Sequence, residues 1–243
     1  MKLHVRGSGS PILLCHGIGA AQASWGEFAE TLSESHTVIT FDAPGCGDAP
    51  ARWVPYTMRS LAADVACKVR QRFGRVHVAG LSWGGVLAQQ LAADHPSLVD
   101  RLVLVSTSAG VGGVMPAPHV TMLASTPLRY VWPRFGEWAA PILYGAGGGK
   151  VQSAAPSMVG YAHQLAAVAT WQGCGEIQAS TLLVCGEDDR LTPVGNAHIL
   201  GERIPDSTVV TIPDAGHLWL LNEPRAAAKL VTMHTTGNQE NAA

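Results

Sequence analysis

The chain has 243 residues, 47% of them hydrophobic and only 14% charged, with a formal net charge of −2. That length suits one large domain able to bury a sizeable core. The charge balance gives no basic footprint for nucleic acid and no polybasic stretch for an anionic membrane surface, and no run of about 18 apolar residues exists to span a bilayer.

In chain order, short apolar runs alternate with helix-like segments. Strands are expected at 3–6, 12–15, 38–41, 76–79, 102–105, 182–185 and 208–212. Most are nearly continuous in Ile, Leu and Val, as strands buried on both faces are. Helices are expected at 25–33, 58–73, 86–94, 196–204 and 224–234. This alternation implies an α/β fold, a mostly parallel central sheet with helices on both faces. The rhythm breaks over 109–178, which is rich in proline yet also aromatic. A solvated linker would not carry so many large apolar groups, so the stretch reads as a mainly helical cap insertion within a single domain spanning 1–243. The small, polar tail at 235–243 is expected to fray.

Gly80-Leu81-Ser82-Trp83-Gly84 lies between the strand at 76–79 and the helix at 86–94. Strand, Gly-x-Ser-x-Gly and helix is the pattern of a nucleophile elbow, in which a tight turn lifts the serine hydroxyl above the sheet. The flanking glycines lack the β-carbon that would clash in such a turn. A serine nucleophile needs a base. Of the ten histidines, His217 sits in a Gly-flanked loop after the last strand, from which it can reach the carboxyl edge of the sheet. The base needs an orienting carboxylate. Gly186-Glu187-Asp188-Asp189-Arg190-Leu191-Thr192-Pro193 follows the strand at 182–185 and points to Asp189, with Asp188 as the alternative. The order Ser82, Asp189, His217 is the acyl-transfer order of one serine-hydrolase fold.

The developing oxyanion needs donors. The turn Leu14-Cys15-His16-Gly17-Ile18-Gly19 offers the backbone N–H of Ile18, and Trp83 offers the N–H just after the nucleophile. His16 reads as a brace of that turn, not as a catalytic group. Asp42-Ala43-Pro44-Gly45-Cys46-Gly47-Asp48 reads as a tight turn on the site rim, since neither a phosphate loop nor a dinucleotide fingerprint is complete there. In the insertion, Trp132, Phe135, Trp138, Tyr144 and Trp171 are the candidates to line a substrate pocket.

These residues, in this order, resemble the α/β-hydrolase superfamily from His16-Gly17 to Pro224. A finer likeness, to intracellular poly(3-hydroxyalkanoate) depolymerases, rests on Gly17-Ile18-Gly19-Ala20, Phe41-Asp42-Ala43-Pro44-Gly45, Ser82-Trp83-Gly84-Gly85 with Leu87-Ala88-Gln89-Gln90, and Gly216-His217-Leu218. The insertion adds Ser125-Thr126-Pro127-Leu128-Arg129-Tyr130 and Ile142-Leu143-Tyr144-Gly145. That resemblance implies hydrolysis of a polyester of 3-hydroxy fatty acids stored in cytoplasmic granules, with Ser82, Asp189 and His217 as the triad.

The expected function is therefore hydrolysis of apolar medium-chain (3-hydroxy)acyl esters, or of polyhydroxyalkanoate, through an acyl-enzyme. The alternatives are lactone, small-ester or carbon–carbon bond hydrolysis or perhydrolysis on the same triad, and a non-catalytic binding protein on the same scaffold. No cofactor and no metal are expected; the partner is a small or polymeric ester. Five scattered cysteines, an odd number, and an N-terminus without an apolar stretch point to a cytoplasmic protein with reduced thiols and no secretory leader.

Overall fold

The computed structural model describes residues 1–148 and 155–237. Its strands are β1 (Leu3–Arg6), β2 (Ser10–Cys15), β3 (His36–Phe41), β4 (Val76–Leu81), β5 (Val99–Val105), β6 (Ser180–Gly186) and β7 (Ser207–Ile212). They form one sheet in the order β1-β3-β2-β4-β5-β6-β7. Only β1 runs antiparallel, on β3; the other pairings are parallel. Every expected strand is present, and all but β1 extend further than the apolar runs. Polar end residues such as Ser10 opposite His36 join the ladder because their neighbours are already paired.

The helices are α1 (Gly26–Leu32), α2 (Met58–Phe73), α3 (Trp83–Asp94), α4 (Pro118–Ala124), α5 (Leu128–Val131), α6 (Pro133–Tyr144), α7 (Met158–Ala169), α8 (Gly195–Arg203), α9 (Trp219–Asn222) and α10 (Pro224–Thr236). The two-residue period of the strands divides the core between two faces. Leu13 and Ile39 point to the face covered by α2, α3 and α8, with Leu61, Leu87 and Leu200. Ile12, Leu14 and Val38 point to the other face, covered by α1 and α10, with Phe28 and Val231. Between β5 and β6, α4 to α7 form the helical cap insertion, with its own small core of Val120, Leu143 and Tyr144 that extends to Leu218. The chain does not fray at 235: α10 continues through Thr236, and residues 238–243 lie outside the described part. Among the described residues, no helix is long and apolar enough to cross a membrane.

One helix starts earlier than its hydrophobic pattern indicates. α3 begins at Trp83, not at 86, because Gly84 and Gly85 belong to its first turn. Glycine there reads locally as loop, but its role is close approach. A Cβ on Gly84 would collide with the Cys15 carbonyl of β2, and one on Gly85 would lie 2.6 Å from the Thr107 side chain. The helix N-terminus is thereby held tight against the sheet edge, and overpacking of this kind costs about 3 kcal/mol where backbone must yield. Gly84→Ala is expected to lower Tm by roughly 5 °C or more in a chain of this size. Thermal unfolding checks this, and an unchanged Tm contradicts it.

Candidate active site

Ser82 is the last residue before α3, with φ 58 and ψ −119. A non-glycine residue rarely occupies this region, and its strain is of the order of 1–3 kcal/mol. Several bonds hold it there. The Ser82 N–H donates to the Val105 carbonyl at 2.9 Å, and the N–H groups of Gly85 and Val86 donate to the Ser82 carbonyl at 2.9 and 3.2 Å. The Thr107 hydroxyl donates to the same carbonyl at 2.7 Å. Gly80 has no room for a side chain, since a Cβ would meet the Gly84 carbonyl. Nothing in the sequence marks Thr107 for this role. The segment Val105-Ser106-Thr107-Ser108 carries no acid, and nothing local reveals that its threonine reaches across to the elbow.

His217 follows β7 and Asp189 follows β6; both side chains are almost fully buried. His217 Nδ1 donates to Asp189, 3.0 Å from Oδ1 and 2.9 Å from Oδ2. The carboxylate also accepts from the Leu191 N–H at 3.0 Å, the Thr192 N–H at 2.8 Å and the Thr192 hydroxyl at 2.8 Å. Burial pushes the Asp189 carboxyl up, but His217 and the Thr192 donors outweigh it and hold the group below the usual carboxylate range. An ionised Asp189 fixes the proton on Nδ1 and leaves Nε2 as the acceptor. The alternative acid is occupied elsewhere. Asp188 accepts from the Ala146 N–H at 2.8 Å and pairs with Arg190 at 3.2 Å, tying the end of α6 to the β6 loop.

That tie matters because α6 ends on the histidine. The Tyr144 carbonyl accepts the His217 N–H at 2.8 Å, and the Tyr144 ring stacks on the imidazole with centroids 5.8 Å apart and 12° between planes. Gly216 leaves no room for a Cβ against the Tyr144 and Ala146 carbonyls. The cap thus contributes to the position of His217 as well as roofing the site.

β2 and β4 are neighbours, with Cys15 opposite Gly80, so the chain leaving β2 passes beside Ser82. A Cβ built on Gly17 would lie 3.8 Å from Ser82 Cβ. The Ile18 carbonyl is held by the Tyr130 hydroxyl at 2.5 Å and the Gly19 N–H by Gln164 Oε1 at 2.8 Å. Among the described residues, neither the Ile18 N–H nor the Trp83 N–H has an acceptor within the protein. His16 accepts the Ala43 N–H on Nε2 at 3.1 Å and donates from Nδ1 to the Gly17 carbonyl at 2.9 Å. Burial holds it below the usual histidine range, so it is a neutral brace of this turn. On the neighbouring turn, burial pushes the Cys46 thiol up to about 12, which keeps it protonated and unreactive at neutral pH.

Two cavities meet at Ser82, sharing Ile18, Ser82, Arg129 and Leu191 in their walls. The smaller, about 40 Å³, is flanked by His217, Tyr130, Tyr144 and Leu218. The larger, about 530 Å³, has Trp83, Val86, Leu165, Val168 and Trp171 on its walls. Of the candidate pocket residues, Tyr144 lies on the smaller and Trp171 on the larger, where its indole N–H donates to Gln90 at 2.9 Å. Trp132, Phe135 and Trp138 are on the walls of neither. They pack on one another at the start of α6, Trp132 stacked on Phe135 and Phe135 tilted against Trp138, with centroids 6.1 and 5.5 Å apart, and both tryptophans are more than half exposed.

Residues 12–230 match the model of the Alpha/beta hydrolase family. The chain belongs to that family. It is accordingly an enzyme of the serine-hydrolase type. Among its relatives, a poly(3-hydroxyalkanoate) depolymerase of Ectopseudomonas oleovorans is 36% identical over 237 residues, 91% of this chain and 83% of that protein. A putative carbamate hydrolase of Azorhizobium caulinodans is 28% identical over 88% of this chain and 86% of its own length. The same α/β-hydrolase fold is found in an esterase from Exiguobacterium antarcticum, with a TM-score of 0.83, 21% identity and coverage of 96% of this chain and 94% of that one.

The two acids of the β6 loop make separable predictions. Asp189→Asn is expected to lower kcat by up to about 10⁴-fold, because an amide permits the wrong histidine tautomer. Asp188→Asn, which loosens only the α6 tie, is expected to cost less than about tenfold, with a lowered Tm. Steady-state kinetics on a common ester checks the ranking; the reverse order contradicts it.

Proposed function

We propose that this α/β-hydrolase cleaves carboxylic esters through an acyl-enzyme on Ser82. His217 takes the Ser82 proton on Nε2 as Oγ adds to the carbonyl carbon, while Asp189 stabilises the imidazolium without accepting the proton. The N–H groups of Ile18 and Trp83 receive the oxyanion, in a site where each such donor is worth about 10²–10³ in rate. His217 then protonates the departing alcohol, and water, activated by the same histidine, releases the acid. The observation that carries this reading is the buried Asp189–His217 pair, at 2.9 and 3.0 Å, with His217 on the wall of a cavity that Ser82 shares.

The cavities suggest how an ester lies. A leaving oxygen must come within reach of His217 to be protonated, and His217 flanks only the smaller cavity. The alcohol therefore occupies the smaller cavity, and the acyl chain runs into the larger, past Trp83. A volume of about 530 Å³ is within the range of small-molecule sites, and its apolar walls suit a medium-chain acyl group. The depolymerase relative, at 36% identity, supports a (3-hydroxy)acyl ester or its polymer as substrate. All five cysteines are free, which suits a cytoplasmic setting.

A series of p-nitrophenyl esters of increasing acyl length tests both parts. Ser82→Ala is expected to lose at least about 10⁴-fold in kcat and all labelling by a fluorophosphonate. Wild type is expected to peak at a medium chain, since each methylene in such a pocket is worth about 1–3 kcal/mol. Trp171→Ala should move that optimum to longer chains, and Trp138→Ala should leave it in place. Full activity in Ser82→Ala refutes the mechanism; an unmoved optimum in Trp171→Ala refutes the placement of the acyl chain.

A further inference from the structure

The walls of the two cavities at Ser82 include one permanently charged side chain, Arg129, and no carboxylate. Arg129 is the second residue of α5, in the cap, and lies on the walls of both cavities. Its Nη1 donates to the Ala124 and Thr126 carbonyls at 2.9 and 3.3 Å. Its Nε is buried without any hydrogen-bond partner. The guanidinium carbon lies 4.7 Å from the Tyr130 ring centroid and 5.4 Å from that of Tyr161. Burial works against the charge, while the phenols of Tyr130, Tyr144 and Tyr161 favour it and hold the group fully protonated. Among the described residues no acid pairs with it.

A half-buried guanidinium without a counter-ion, on the wall of a reaction cavity, is matched to an anion brought by the ligand. Its setting indicates the side of the ester on which that anion lies. Tyr130, the nearer of its two aromatic neighbours, lines the smaller cavity together with His217, while Tyr161 lines neither. That is the side on which the alcohol departs in the mechanism proposed above.

We propose that Arg129 binds a free carboxylate carried by the leaving alcohol, so that the preferred substrates are acyl esters of short hydroxy acids. On a hydroxyacyl oligomer, the bond selected is the ester nearest the carboxyl end. The acyl portion passes to Ser82 Oγ, the proton from Ser82 passes through His217 to the alcohol oxygen, and the hydroxy acid leaves with its carboxylate still ionised. This rests on the ester-hydrolase reading, with the acyl chain in the larger cavity.

The test compares octanoate release from 3-octanoyloxybutanoate and from its methyl ester, which share the acyl group and differ by the methyl that removes the charge of the leaving group. Wild type is expected to favour the free carboxylate by about tenfold to a hundredfold in kcat/KM, chiefly through KM, as for a charge-assisted hydrogen bond. Arg129→Met should bring that ratio to near one, and Arg129→Lys should restore part of it. Because Arg129 also braces the end of α4, a second measurement uses wild type alone. 3-Hydroxybutyrate should inhibit competitively, and at least about tenfold more strongly than methyl 3-hydroxybutyrate. A wild-type ratio near one, or equal inhibition by acid and methyl ester, overturns the proposal. A third pair, monomethyl suberate and methyl octanoate, carries the charge on the acyl side; a preference there and not in the first pair overturns the assignment to the leaving group. If neither octanoyl ester is hydrolysed and no fluorophosphonate labels the protein, the ester-hydrolase reading itself is at fault and the proposal falls with it.

Discussion

The backbone of Ser82, at φ 58 and ψ −119, is a conformation that an isolated chain would leave. It persists because the sheet and the first turn of α3 enclose it on every side. Gly80 and Gly84 supply the clearance, β5 takes the Ser82 N–H, and Thr107 takes the carbonyl. The same close approach puts the N-terminus of α3, with its free Trp83 N–H, beside the turn that follows β2. A helix N-terminus carries roughly half a positive charge, so the site favours negative charge at the point where an oxyanion would form. Relaxing the elbow would displace the nucleophile, one oxyanion donor and the helix end together.

The cap is coupled to this arrangement through three connections. Tyr130 grips the Ile18 carbonyl, α7 holds the Gly19 N–H and the Trp83 indole through Gln164, and the end of α6 carries the Tyr144 carbonyl and ring onto His217. An element that sets cavity shape therefore also sets the orientation of the groups proposed to react. Substitutions deep in the cap can be expected to change kcat along with KM, since a displacement of about 1 Å at a positioned group can cost about a hundredfold.

Much of this was legible in the sequence, for physical reasons. Parallel strands buried on both faces must be apolar throughout, so β2 to β6 appear as runs of Val, Ile and Leu. The triad candidates stand out because a strand-end serine between glycines, and a histidine and an aspartate on later strand-end loops, are constrained by chemistry as well as packing. The start of α3 was not legible, because Gly84 and Gly85 carry a local loop signal and the reason for them lies in β2 and at Thr107. The aromatic residues of the cap were also ambiguous. Trp132 and Trp138 are exposed and Phe135 between them is half-buried against the cap core, while Ala139, Ala140, Leu143 and Tyr144 turn inward. Size and apolarity were alike on both faces, and tertiary packing alone distinguishes them. Arg129 lay inside one of the segments that carry the family likeness, but nothing local marked it as a cavity residue, since an arginine is ordinarily at the surface.

The central claim is that this elbow makes Ser82 a nucleophile that holds the acyl group covalently. Its most direct measurement is acid-quench mass spectrometry of the enzyme within milliseconds of mixing with an octanoyl ester. The account predicts an octanoyl adduct confined to the peptide containing Ser82, formed in wild type and not in His217→Gln. An adduct on another residue, or steady hydrolysis with no covalent intermediate in wild type or in a deacylation-impaired variant, would contradict it.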